Sequence, residues 1–281
     1  VALDSDGTVF DSMRPKHEEC FAPAFAQYFA PAEAEAARAV WRFVNLESRN
    51  RGVNRYRALV MCLRLLSGYP GLSRVDHAWA QTAAVLEAWL AREPTPTKAN
   101  LALAAGDARL AAVLAWSESV DRAIASLPAP PAFAGAVAAL PILASCTDIL
   151  VLTGAPTSAI RSEWKRAGIL DYAFDVAGQE EGPKASCLAA RSGGRSASGS
   201  VLVVGDAPGD LEAARCTSSA FFPIIPGREE ACWSLFVSTG LPRFLEGERS
   251  PGRGLIAEFL AALPADPPWL AGRTSSVADG T

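Results

Sequence analysis

Val1-Ala2-Leu3-Asp4-Ser5-Asp6-Gly7-Thr8-Val9-Phe10-Asp11-Ser12 opens the chain, and its reading decides the fold. A short apolar run leads straight into two aspartates one residue apart, followed by Gly-Thr. Neighbouring carboxylates repel, so one reason to keep such a pair is a bound cation or acid/base work. Gly7 lets the backbone turn sharply just after the pair. From average residue usage, an Asp-x-Asp-Gly-Thr match arises by chance in roughly one in several hundred chains of this length. The plainer reading is a strand ending in an Asp-rich turn. Context separates the two.

A second apolar run, Ile149-Leu150-Val151-Leu152, ends in Thr153-Gly154. A third, Val201-Leu202-Val203-Val204, ends in Gly205-Asp206-Ala207-Pro208-Gly209-Asp210. Continuous β-branched and leucine runs suit strands of a parallel sheet covered on both faces. Helical patterns follow, over Thr157–Ala167 and Asp210–Arg215. Strand, polar turn and helix in repetition predict an α/β fold built on a doubly wound parallel sheet. Such sheets hold ligands at the carboxyl ends of their strands. Asp4, Asp6, Thr153, Gly154, Asp206 and Asp210 are therefore expected to converge on one crevice.

With these residues in order, the chain resembles the haloacid dehalogenase superfamily of phosphohydrolases. That family reads Asp-x-Asp-Gly-Thr, then Ser/Thr, then Lys, then Gly-Asp-x-x-x-Asp. Here these fall on Asp4–Thr8, Thr153, Lys184 and Gly205–Asp210. The resemblance covers the first dozen residues and roughly 131 to 225. Lys184 is one of only four lysines, with Lys16, Lys98 and Lys165, among 26 Lys+Arg. A compact ammonium fits between a carboxylate and a phosphate where a guanidinium fork would crowd. The family often has Lys-Pro, whereas this chain has Pro183-Lys184.

The resemblance implies a Rossmann-like core (1–12 and 131–281) and an all-helical cap (13–130). The cap segment is rich in Ala, Leu, Trp and Arg. Glu18–Phe29, Glu33–Leu46, Arg55–Leu66, His77–Ala91 and Leu110–Leu127 read as amphipathic helices. Breaks fall at Ala30-Pro31, Gly68–Gly71 and Glu93–Pro96, and Pro128–Pro131 marks the return to the core. Two crossings are expected to join cap and core, and the cap to select the substrate. Lys16 and His17 follow the first motif. Asn45, Arg49 and Arg55 lie in an Arg/Asn-rich stretch able to bind anionic or hydroxyl-rich groups. These five are the expected specificity residues, against the alternative of a solvated helix face.

Beyond residue 220, Ala220–Ile225 reads as a strand, and Trp233–Leu245 and Leu255–Leu263 as helices on the core. Pro264–Trp269 is expected along the surface and Arg273–Thr281 as a tail.

At 281 residues the chain suits a core domain plus an insertion. A net charge of −4 supplies no basic field for nucleic acid or an anionic membrane. No apolar run approaches transmembrane length, and the start is no signal peptide. The missing initiator Met and very short first run predict a truncated N-terminus. The six cysteines form no C-x-x-C pair and the chain has two histidines, which argues against zinc. Scattered cysteines read as reduced, mostly buried thiols of a cytoplasmic protein.

The resemblance implies the reaction. Asp4 attacks phosphorus in line and forms an aspartyl phosphate. Asp6 protonates the leaving oxygen, then takes a proton from water. Thr153, Gly154 and Lys184 grip the phosphoryl oxygens. Mg²⁺ is the implied cofactor, on Asp4 and Asp206, the Asp6 backbone carbonyl, and Asp210 behind them. The family's dehalogenases lack the second aspartate, so the expectation is a phosphatase acting on a small phosphorylated metabolite. A sugar phosphomutase, kept open by His17, and a non-catalytic binding protein are the alternatives.

Overall fold

The computed structural model describes residues 1–72, 75–192 and 200–270. The tail expected at Arg273–Thr281 lies outside them. β1 (Ala2–Leu3), β2 (Leu150–Leu152), β3 (Asp175–Ala177), β4 (Leu202–Gly205) and β5 (Ala220–Pro223) form one parallel sheet. Its order is β3-β2-β1-β4-β5. β1 is central although it is only two residues long. Leu3 lies opposite Val151 on one side and Val204 on the other, and all three are fully buried. Each such burial contributes about 1.5–3 kcal/mol, so neighbours on both sides hold a strand too short to persist alone. The order reverses between β1 and β4, which makes the carboxyl ends of these two strands the switch-point crevice.

Helices Ala134–Cys146, Thr157–Arg166, Lys184–Arg191, Pro208–Cys216, Glu229–Leu235 and Arg253–Ala261 accompany the sheet. The first packs on Glu229–Leu235, and Lys184–Arg191 packs on Pro208–Cys216. Helix Ala134–Cys146 and strand β3 were not foreseen. β3 has three residues and begins with a charged one, which hides it from any periodicity argument.

The described residues divide into two compact units, 1–16 with 126–262, and 17–125 with 263–270. The second is helical. Its core centres on Trp41, which stacks on Phe21 at 5.5 Å and meets Trp116 edge-on at 5.6 Å. Helix Lys98–Leu103 here was also not foreseen. Three expected helices contain wider π-helical turns, of which Phe43–Glu47 closes helix Ala34–Arg42. Lys16–Phe21 is such a turn, followed by α-helix Ala22–Phe29, and Phe236–Gly240 is another, followed by Leu241–Leu245. Pro23 and Pro242 sit just past these turns. A proline lacks the N–H for the preceding turn and crowds its carbonyl, which favours widening there.

The segment after Ala262 departs from expectation. The sequence placed it with the core, yet it clusters with the helical unit. Arg49 N–H donates to the Pro264 carbonyl at 3.1 Å, and Trp269 packs on Phe43 and Tyr69 at 5.4 and 5.0 Å. Pro264, Ala265, Asp266 and Pro268 stay exposed, as their composition suggests, while Trp269 is half-buried against those two rings. None of the six cysteines is in a disulfide, and four are buried. Among the described residues, no helix is long and apolar enough to cross a membrane.

Candidate active site

Asp4 follows β1 directly, and its N–H still pairs with the Val204 carbonyl at 3.0 Å, so the β4 ladder fixes its backbone. The chain then turns at Gly7, whose φ of 77° suits glycine. The Gly7 N–H meets the Phe10 carbonyl at 2.9 Å and the Phe10 N–H meets the Ser5 carbonyl at 3.0 Å, closing a tight loop. Two indoles pin that loop from the core. Trp164 Nε1 donates to Ser5 Oγ at 3.0 Å and Trp233 Nε1 to the Thr8 carbonyl at 2.8 Å.

β4 ends at Gly205, and Asp206 comes next. Thr8 Oγ1 donates to Asp206 Oδ1 at 2.9 Å, which ties the first motif to the last. A Cβ on Gly205 would lie 2.3 Å from the Asp210 carboxyl, so only glycine admits that side chain. Asp210 caps its helix by accepting the Ala207 N–H at 3.1 Å. Lys184 opens helix Lys184–Arg191 behind Pro183, whose fixed φ suits the residue before a helix. The Pro-Lys order therefore still delivers the ammonium. Its Nζ lies 2.9 Å from Asp4 Oδ1 and 2.7 Å from Asp210 Oδ1. Thr153 is buried just past β2, with its N–H on the Ala177 carbonyl at 3.0 Å and its Oγ1 accepting from Ala155 N–H at 3.1 Å. Gly154 is exposed beside it.

Carboxylate oxygens of Asp4, Asp206 and Asp210 all lie within 4.8 Å of one another. The three residues are only 6%, 1% and 1% exposed, so water scarcely screens them. Like charges about 4 Å apart repel by about 4 kcal/mol at a typical effective dielectric. Burial pushes the Asp4 carboxyl well above the usual range; Lys184 opposes this, while Asp210 and Asp206 add to it. Burial raises Asp210 likewise. For Lys184, burial works against the charge, but Asp210 and Asp4 outweigh it and raise the ammonium. Lys184 thus contacts two of the three buried carboxylates. That donor set fits a small hard divalent cation, which prefers carboxylate oxygens. Asp4, Asp206 and Asp210 are the side chains placed to hold it. The Asp6 backbone carbonyl remains a ligand implied by resemblance.

Asp6 follows two residues after Asp4 on the same loop, and its carboxyl is held by other partners. Ser12 Oγ donates to its Oδ1, and Lys16 Nζ lies 2.5 Å from the same oxygen. Lys16 also reaches Glu163 Oε1 at 3.6 Å. The structure therefore places Lys16, expected as a specificity residue, against the Asp6 carboxyl.

The other expected selectors lie in the helical unit. His17 stacks on Phe21 at 4.9 Å and its Nδ1 accepts from Trp41 Nε1 at 3.1 Å. Asn45 is buried, with Nδ2 on the Trp41 carbonyl at 3.0 Å. Arg55 pairs with Asp121 at 2.7 Å, donates to Ser117 Oγ at 3.2 Å and lies 5.1 Å over the Phe21 ring. Arg49 is exposed. Sequence reasoning missed Glu163 and Trp164. A signal was present: Glu163 lies three residues after Ile160, on the inward stripe of its helix.

The sequence profile of the haloacid dehalogenase-like hydrolases matches residues 1–216, so the chain belongs to that family. No curated protein matches with significance. Among solved structures it is similar to a haloacid dehalogenase-like family hydrolase from Streptococcus pneumoniae, at 14% identity. That match covers 83% of this chain and 89% of the other, with a TM-score of 0.46. The L-2-haloacid dehalogenase of Xanthobacter autotrophicus is 16% identical over 95% of this chain and 89% of its own, with a TM-score of 0.38.

Proposed function

We propose that this chain is a Mg²⁺-dependent phosphatase for a small phosphomonoester, such as a sugar phosphate, working through an aspartyl phosphate on Asp4. The observation that carries the reading is Asp6, a second carboxylate two residues on from Asp4 in the same loop, with its Oδ1 held by Ser12 and Lys16. Dehalogenases of this family lack an acid at that position, because halide departs without a proton. An alkoxide leaving group needs one. Asp6 donates it as the P–O bond breaks, then accepts a proton from the water that attacks the aspartyl phosphate. Asp4 is the nucleophile because its backbone is locked to β4 and its oxygen already contacts Lys184. Lys184 then meets the phosphoryl charge, with the Thr153 hydroxyl and the Gly154 N–H beside it. Bound Mg²⁺ would neutralise the site so that an anionic carboxylate can approach an anionic phosphate.

The test is a panel of phosphorylated metabolites assayed for phosphate release with Mg²⁺, alongside 2-haloacids assayed for halide release. Phosphate release lost in Asp4→Asn supports the reading. Halide release without phosphate release overturns it.

A further inference from the structure

We propose that Lys16 and Glu163 form a positioning pair that holds the Asp6 carboxyl in its working orientation. The inference rests on the phosphatase reading, in which Asp6 moves the proton. Ser12 and Lys16 both address Asp6 Oδ1, so one carboxyl oxygen is fixed from two directions. A carboxyl that must meet a leaving oxygen within hydrogen-bond reach gains from such fixing, since misplacement by about 1 Å can cost about 10²-fold in rate.

Glu163 explains why the ammonium stays there. It projects from helix Thr157–Arg166, next to Trp164, whose indole holds Ser5 in the loop that carries Asp6. Two successive residues of one helix thus act on that loop, one through its backbone neighbour and one through Lys16. Glu163 is only 6% exposed, and its Oε2 is buried with no hydrogen-bond partner. Leaving a carboxyl oxygen orphaned in the interior is costly. An apolar residue would suit an inward helix position better, unless the acid is needed to hold Lys16. Lys16 ends the first core segment, at the residue before the chain enters the helical unit. An unanchored lysine there would be free to follow the solvent. Held by Glu163, it stays on Asp6.

The experiment compares wild type, Lys16→Met and Glu163→Gln on glycerol phosphate, whose alkoxide needs a proton, and on 4-nitrophenyl phosphate, whose leaving group scarcely does. Lys16→Met should lower kcat on glycerol phosphate by about 10²-fold and on 4-nitrophenyl phosphate far less, with KM little changed. Glu163→Gln should show the same split, more weakly. A crystal structure of Lys16→Met should show the Asp6 carboxyl turned away from its wild-type position. Equal losses on both substrates would make the pair merely structural. A rise in KM alone would make Lys16 a substrate contact. Unchanged kinetics, or an unmoved Asp6, would also overturn the proposal. If the wild type releases no phosphate from either substrate or from the metabolite panel, the phosphatase reading fails. The Asp6 position in the variant structure then decides the pairing by itself.

Discussion

Asp4, Asp6 and Gly205 show how much chemistry single residues carry here. Asp4→Asn keeps size but removes the nucleophilic charge and one of the clustered carboxylates, so phosphate release should fall below detection in a discontinuous assay. Asp6→Asn should leave the melting curve nearly unchanged and slow turnover of an alkyl phosphate by about 10²–10⁴-fold. Near-normal turnover would move the proton transfer to another group. Gly205→Ala tests close approach directly. Its Cβ would fall 2.3 Å from the Asp210 carboxyl, which is itself held by Lys184 and the Ala207 N–H. Overpacking of this kind typically costs about 1–3 kcal/mol, and urea denaturation should register it. An unchanged denaturation midpoint would mean that Asp210 can shift cheaply.

Within the helical unit, helix Arg55–Leu66 begins with a residue that its own unit consumes. Arg55 joins Asp121, Ser117 and the Phe21 ring, linking the helix start to helix Ala108–Ala125 and to the aromatic stack. Arg55→Ala should therefore destabilise this unit by about 1–2 kcal/mol, a modest figure because Asp121 is a third exposed and Lys98 remains beside it. The pH dependence has a definite sign. Burial works against the Asp121 charge, but Arg55 and Lys98 outweigh it and hold its carboxyl below the usual range. A lowered folded-state pKa gives stability that is present above the unfolded value of 3.8 and is lost as pH falls through the folded one. The electrostatic part of the gap between wild type and Arg55→Ala should thus shrink below about pH 3.8. A gap independent of pH would assign the effect to packing over Phe21.

At the scale of the whole molecule, the buried acidic cluster couples folding to cation and proton. Burial chiefly raises the Asp4 and Asp210 carboxyls above their unfolded value of 3.8. A raised folded-state pKa makes the metal-free protein gain from protonation. That contribution is fully present below the unfolded value and lost as pH rises through the folded one. Lys184 partly offsets this, because its raised pKa stabilises the fold throughout the neutral range. Mg²⁺ binds the folded carboxylates and should raise Tm at pH 7.5, with EDTA reversing it. The rise should fade as pH approaches 4, where protons compete for the same oxygens. A Tm insensitive to Mg²⁺ at pH 7.5 would count against a cation in this cluster.

The sequence by itself determined the parallel sheet and the end of it that matters. Runs such as Val201–Val204 are short, β-branched and apolar throughout and repeat before polar turns and helices, a pattern that suits strands covered on both faces, with the acids that follow gathered where those strands stop. Lys184 was legible through the family resemblance, which expects a lysine between the second and last motifs, with its rarity in an arginine-rich chain as mild support. What only the tertiary structure decided concerns contacts with no local signature. β3 exists because β2 offers it a ladder, and three residues cannot announce themselves by periodicity. Pro264–Trp269 does run along the surface, but the packing of its half-buried indole on Phe43 and Tyr69 had no local sign. Lys16 and Arg55 both look like exposed cations until Asp6 with Glu163, and Asp121 with Phe21, are brought to them from far along the chain. The fate of a long charged side chain depends on which partner the fold delivers, and a linear pattern carries no record of that encounter.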